Sequence, residues 1–390
     1  MKYIPENELQ KIILGFPDKK WDWFALSQNP NITMSMIFNN IELPWNWIGV
    51  SKNSNITLDI ILKYPKKGWN MYCIYKNPNI SQYDIIQLRE IYYTNWVGIS
   101  RNPNISTLFI EQNLKHMYLT GLSSNEALDF SIIDKYPDES WHWIFLSNNP
   151  NLKLSIVLKY PHKNWDWRTI SSNKGVSMLD IRRTLETNSK IPCWYWDYIS
   201  CNPNLGIKII IDYPDKKWCW THISKHPNMT IDIIEKNPSL PWDYNAMSLN
   251  PNITLPFIKE NINKDWNWAY ISKHHSITMD TILKERFLNW AYFYTSYNPN
   301  ITLEFILERS NYFYNWRAIS INPNLTYLMV SVFSNIAWTC ISHNIFKNTS
   351  VKYKEKLRYM KRRLNIYKEE LIMKTWHPSR VLEWCNPVDF

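Results

Sequence analysis

The chain has 390 residues, of which 45% are hydrophobic, 20% charged and 15% aromatic, enough apolar matter for a packed fold and too little charge for a disordered one. Tryptophan (22) outnumbers glycine (7), which removes the Gly-rich phosphate loops of most nucleotide-dependent enzymes. The net charge of +10 favours an acidic partner without naming it.

Residues 1–20 hold the short apolar run Ile12-Ile13-Leu14 before Gly15-Phe16-Pro17. With Glu6 and Glu8 ahead of it, this run does not read as a secretory segment, and no stretch of the chain is long and apolar enough for a membrane span. The run is similar to Ile60-Ile61-Leu62-Lys63-Tyr64-Pro65 further on. It is expected to be a half-repeat that caps the start of a stack. Six scattered cysteines fit a reducing, intracellular setting, and the expected localisation is intracellular, not secreted.

From Trp21 onward a unit of about 24 residues recurs, beginning at positions 21, 45, 69, 94, 117, 141, 165, 194, 218, 242, 266, 290, 314 and 336. Each unit starts with Trp-x-Trp or a variant. Ser stands six residues after the first Trp position in thirteen of the fourteen units. Asn stands two residues later in twelve: Asn29, Asn53, Asn77, Asn102, Asn125, Asn149, Asn173, Asn202, Asn250, Asn298, Asn322 and Asn344. A side-chain amide at every turn predicts a structural ladder that pairs backbone groups left open between stacked units.

Pro, Asn and an aliphatic residue follow, then a Thr, Ser, Asp or Asn that is expected to cap a helix: Thr33, Thr57, Ser81, Ser106, Asp129 and their equivalents. The cap leads into runs such as Leu58 to Pro65, predicting one helix of about two turns per unit. Two Trp at i and i+2 cannot share a helical face, so one is expected inside and the other against the next unit. Helices this short are not stable alone and must bury their faces on neighbours. The predicted fold is all-α: a superhelical α-solenoid of about fourteen repeats over 21–350, each a short α-helix plus a short α- or 3₁₀-helix, extending over on the order of 110–140 Å along a curved axis.

The unit resembles the leucine-rich repeat variant in its aliphatic-small pair, Asn-Pro-Asn, apolar residue, Thr and short helix. That resemblance implies alternating α- and 3₁₀-helices in a right-handed superhelix; the Trp pair departs from it. The Trp-rich repeat, the Asn, Ile, Lys and Tyr bias and the ending Met373 to Cys385 also resemble uncharacterised repeat proteins of mimivirus-like giant DNA viruses, which implies a setting in host cytoplasm, virus factory or virion.

Within the repeats, Cys219, His222 and His226 have the type and spacing of zinc ligands, with Cys193 or Cys201 able to add a fourth. Yet Cys219 sits where Asp or Asn usually follows the first Trp, and His226 replaces a ladder Asn; the expectation is a structural role and no metal. His274-His275 likewise replace Asn-Pro. No known catalytic signature occurs, so no catalytic residue, no cofactor and no enzyme activity are expected. No column carries a constant basic residue, which argues against phosphate tracking along the repeats. The position after the first Trp (Asp22, Asn46, Asn70, His142, Asp166, Tyr195, Cys219) varies modestly, as a partner-reading column would.

Beyond the repeats, residues 345–376 hold ten Lys or Arg against three Glu. Leu357, Met360, Leu364, Tyr367 and Leu371 follow helical spacing, so an amphipathic capping helix and tail are expected over 351–390. Its basic face, Lys356, Arg358, Lys361, Arg362 and Arg363, is the candidate contact for nucleic acid or another polyanion. The pattern as a whole predicts a non-catalytic scaffold for a protein partner, with nucleic-acid binding through this helix as the alternative.

Overall fold

The computed structural model describes residues 5–187, 194–309 and 313–346. Among them it holds 28 α-helices, one 3₁₀ turn at Leu114–His116 and no strand. The helix expected over 351–390, with all five of its basic candidates, lies outside the described residues, as does Cys193.

Each repeat contributes two helices. The first begins at the second Trp position, as in Trp23–Gln28, Trp47–Lys52 and Trp268–Ser272. The residue after the first Trp caps it: Asp22 accepts from the Ala25 amide, Asn46 from Gly49, Asn267 from Tyr270, and even His142 uses Nδ1 to accept from Phe145. Tyr118, Tyr195, Cys219, Ala291 and Ala337 make no such bond, so capping accounts for the Asp, Asn and His of that column and not for its other residues. The second helix follows the Asn-Pro-Asn turn, as in Met34–Asn39 and Leu303–Glu308. Thr33, Ser81, Ser106, Ser177, Thr230, Thr278, Thr302 and Thr326 cap these helices through their hydroxyls, whereas Thr57 and Thr254 make no such bond. At Asp129 the helix starts two residues later, at Ser131, and the carboxylate accepts from the Ser131 amide. Most second helices are six residues, shorter than expected, because the aromatic-Pro or polar turn that follows closes the chain early; Gln82–Ile91 and Met178–Glu186 run longer.

The two Trp columns divide their labour as their spacing requires. The first is buried: Trp21, Trp45, Trp141, Trp165, Trp266 and Trp290 lie in the continuous core. Its indole N–H does not go unpaired, since in nine units it donates to the carbonyl five residues earlier at 2.7–3.0 Å. In the longer unit Trp194 donates to the Thr184 hydroxyl instead. The second Trp meets the next unit's first Trp edge-on: Trp23 with Trp45, Trp47 with Trp69, Trp143 with Trp165 and Trp268 with Trp290, ring centres 4.9–5.4 Å apart. A lysine two residues before that first Trp covers the same ring, as Lys67 covers Trp47 and Lys163 covers Trp143.

The Asn ladder joins the units. Asn53 donates from Nδ2 to the carbonyls of Ser27, Asn29 and Ile32 of the preceding unit at 2.9–3.1 Å, while its Oδ1 accepts from the Asn55 amide. Asn77, Asn102, Asn149, Asn202, Asn250, Asn298 and Asn322 repeat this pattern in whole or part. Two residues on, the second Asn of the turn forms a parallel ladder: Asn55 donates to Pro30 and Ile32, Asn252 to Pro227 and Met229. The Ser column adds a third link, since Ser27 Oγ accepts from the Asn46 amide and donates back to the Trp23 carbonyl.

The stack does not run on as an open superhelix; its two ends meet. The Asp22 amide donates to Ser342 Oγ at 3.0 Å, and Asn29 Nδ2 donates to the carbonyls of Ser342 and Asn344. Trp338 meets Trp21 edge-on at 5.3 Å and 80°, and Lys19 covers the Trp338 ring. These are the contacts that join the first complete unit to the second. The half-repeat Glu8–Gly15, expected to cap an open end, supplies the second helix of the last unit, whose first helix is Trp338–Ile341 at the other end of the chain. It packs against Tyr327–Val332: Phe16 contacts the Tyr327 and Trp338 rings, and Glu8 Oε2 accepts from the Tyr327 amide at 2.9 Å. The molecule is a closed ring of fourteen repeats, one of them assembled from both ends.

The two helical rows differ in how closely successive units approach. First helices approach closely because small residues face the preceding unit: a Cβ on Gly49 would stand 2.7 Å from Ser27 Cβ, and one on Gly98 2.7 Å from the Tyr72 carbonyl. First helices of successive units pack against one another more extensively than second helices do, and a turn of about 26° per unit is the step that brings fourteen units back to the start. First helices consequently line the inside and second helices the outside.

Candidate interaction surfaces

Of the sequence-derived metal candidates, His226 is occupied by ladder work. His226, buried, takes the place of a ladder Asn with both ring nitrogens: Nε2 pairs with the Asn202 carbonyl at 3.1 Å and Nδ1 accepts from the Asn228 amide at 3.1 Å. Nδ1 as acceptor and a carbonyl at Nε2 define the neutral Nε2–H tautomer, and burial pushes the His226 pKa below its ordinary value. His274 does the same, with Nε2 on the Asn250 carbonyl and Nδ1 accepting from the Ser276 amide; burial, then the adjacent His275, lower its pKa. Cys201 and Cys219 are free thiols. Among the described residues no three His, Cys, Asp or Glu side chains stand together as a metal group.

On the inner row, positions three and seven after the first Trp share one helical face and are the part of the first helix left open to solvent. At position seven stand Lys52, Lys76, Arg101, Lys225 and Lys273, and no acid in any unit. Arg168 and Arg317 add two cations one turn earlier, against the single acid Asp197. The other acids of this segment, Asp22, Asp166 and Asp243, are spent as helix caps. Aromatic rings lie between the charges: Lys52 stands over Phe24 at 4.8 Å, Lys273 over Tyr270 at 4.6 Å, and Arg101 donates to the Tyr72 hydroxyl while covering Tyr118. None of the seven cations has a carboxylate partner among the described residues. No single column is constantly basic, as read from the sequence; the basic character emerges only when two half-filled columns are placed on one face.

The outer row is different in kind. Its charges pair between neighbouring units, Lys135 with Glu111, Lys159 with Asp134 and Lys259 with Glu285, and hydrogen bonding from Lys159 lowers the Asp134 pKa. Its distinctive feature is apolar: Tyr83, Ile86 and Ile91 on Gln82–Ile91, with Tyr93, and Leu108 on the adjacent Thr107–Asn113, form an exposed patch, Tyr83 being 67% and Leu108 62% accessible. The Gln82 side chain, accepting from the Ser106 amide at 2.8 Å, ties the two helices of this patch together. A shallow cleft of about 670 Å³ lies between Ser131–Lys135 and Leu154–Lys159, lined by Asp134, Lys153 and apolar residues.

Among the described residues no helix is long and apolar enough to cross a membrane. No protein-family model, curated protein or solved structure matches the chain.

Proposed function

We propose that the ring is a non-catalytic scaffold that binds a protein partner on its outer, second-helix row. The observation that carries this reading is the exposed patch of Tyr83, Ile86, Ile91, Tyr93 and Leu108 across two adjacent units, because contiguous apolar surface rimmed by polar residues marks interaction sites. A rigid ring suits such a role, since little order is lost when a partner docks on a preformed surface. The resemblance to Trp-rich repeat proteins of mimivirus-like giant DNA viruses supplies the setting of this proposal, the cytoplasm or virus factory of an infected cell.

The test compares proteins captured from expressing cells by the wild type and by Tyr83→Ser/Ile86→Ser/Leu108→Ser, after equal melting temperatures have been verified. A partner held by the wild type and lost by the variant supports the proposal. Identical sets of bound proteins would overturn it.

A further inference from the structure

We infer that the inner wall of the ring is a binding track for single-stranded nucleic acid, a site that goes beyond the protein-partner reading and uses none of its residues. The inference rests on the juxtaposition of three features that ring closure creates.

The first is charge segregation. Acids are abundant in the chain, 34 Asp and Glu in all, yet on the open face of the first helices only Asp197 remains uncommitted. Cations near a helix C-terminus complement the helix dipole, which accounts for a Lys at position seven but not for the scarcity of acids one turn earlier, where Asp197 stands alone, or for the arginines there. On the outer row three ion pairs join neighbouring units, a kind of pair none of the inner cations makes among the described residues.

The second is the interleaving of rings and cations. Phe24 beside Lys52, Tyr72 and Tyr118 beside Arg101, and Tyr270 beside Lys273 supply flat apolar faces next to charges, the combination that holds unpaired bases and their phosphates without regard to sequence. A duplex hides its base faces and would use only the charges, so the exposed rings favour a single strand.

The third is size. Fourteen first helices at about 8–10 Å spacing set their axes on a circle roughly 36–45 Å across, and side chains reaching about 5 Å inward leave an opening on the order of 25–35 Å. A strand can lie along such a wall in contact with several consecutive units. Lys52, Lys76 and Arg101, on three successive units, are its densest stretch.

The experiment is fluorescence anisotropy of the full chain with a labelled mixed-sequence single-stranded 30-mer, across a salt series, beside the same sequence as a duplex. Two charge-matched variants are compared: Lys52→Glu/Lys76→Glu/Arg101→Glu on the inner face, and Lys66→Glu/Lys115→Glu/Lys208→Glu on the outside. The inner variant is expected to weaken single-strand binding at least tenfold and to flatten the log–log salt dependence by about 2, while the outer variant changes binding less than threefold and the duplex binds more weakly than the strand. Equal losses in the two variants, a duplex bound as tightly as the strand, or no binding at low salt would overturn the inference. Should the inner Glu variant fail to fold, Lys52→Gln/Lys76→Gln/Arg101→Gln replaces it, with the same expected order. Loss of strand binding in the inner variant with partner capture retained separates this site from the outer patch.

Discussion

The joint between the two ends of the repeat stack and the joint between its first two complete repeats are made of the same parts. At the internal joint Asn46 N–H meets Ser27 Oγ, Asn53 spans the Ser27 and Asn29 carbonyls, and Trp23 meets Trp45 edge-on. At the terminal joint Asp22 N–H meets Ser342 Oγ, Asn29 spans the Ser342 and Asn344 carbonyls, and Trp338 meets Trp21. The terminal joint differs in its second-helix row, where Glu8 of one end accepts from the Tyr327 amide of the other, and in its first-helix row, where Asp22 lies 3.7 Å from the His343 ring. A contact set specified unit by unit is therefore enough to specify a global shape, because a small turn repeated faithfully has to close somewhere.

The largest way to break the equivalence is to remove residues 1–20. That strips the second helix from the composite unit and uncovers Tyr327, Trp338 and the core around Leu9, Ile12 and Ile13, all three fully buried. Burial of such side chains is worth about 1.5–3 kcal/mol each, so calorimetry should show a melting temperature lower by about 5–10 °C, and small-angle scattering an enlarged particle. An unchanged scattering profile would mean the half-repeat is not the clasp.

Next in size is overpacking at a single internal joint. Gly98→Leu drives a side chain into the Tyr72 backbone and should cost about 1–3 kcal/mol or more, read as a lower denaturation midpoint with an expanded ring. A Gly98→Ala variant should lose less than the Leu variant, and an equal loss would point to backbone conformation instead of space.

The ladder offers the sharpest comparison. Asn53→Leu and Asn29→Leu each remove a buried donor and leave carbonyls unpaired, at about 1–3 kcal/mol. Equal losses in chemical denaturation would show that the terminal joint is as firmly made as the internal one. A harmless Asn29→Leu beside a costly Asn53→Leu would mean that the ring stands open in solution.

The two ladder histidines sharpen the comparison through pH. Burial lowers both from the ordinary value of 6.5, and protonation would cost the acceptor at Nδ1. Above pH 6.5 folded and unfolded chains are both neutral at these positions. As pH falls below 6.5 the unfolded chain takes up protons first, so stability drops until the folded-state values are passed. His226→Asn/His274→Asn should match the wild type at pH 8 and exceed it at pH 5 in thermal melts. A gain of equal size at both pH values would contradict this account.

The smallest expected effect is at Tyr75, which replaces the column serine. It is fully buried, its hydroxyl is unpaired among the described residues, and desolvation pushes its pKa up to about 12. Tyr75→Phe should leave stability unchanged or slightly raised; a marked loss would reveal a hidden partner for the hydroxyl.

Much of this was legible in the sequence. The period, the Asn ladder, the capping Thr and the opposed roles of the two Trp all follow from columns whose residue types have one physical use, and Trp-x-Trp could not be satisfied by one helical face. The small residues at Gly49 and Gly98 were visible too, but their effect is an angle, and a few degrees per unit separate a ring from an open superhelix. The half-repeat before Trp21 was recognisable from Ile12-Ile13-Leu14, while its partner was not, because Trp338 lies more than three hundred residues away. The inner face escaped notice for a related reason: Lys52 and Arg168 occupy different columns, and only the fold sets both on one wall. The capping role of the Asp, Asn and His residues after the first Trp was not read from the sequence, because that position also holds Tyr, Cys and Ala, which make no cap.

The composite repeat also gives the ring a seam. In every other unit the peptide chain itself runs from the first helix to the second, so parting two units means stretching or unfolding a covalent tether. Between Trp338–Ile341 and Glu8–Gly15 no backbone passes, and the whole joint is held by side chains, a few hydrogen bonds and edge-to-face rings. Opening the ring there parts no peptide link between the two helices of any unit, which makes this joint the one that can separate with the least loss of structure.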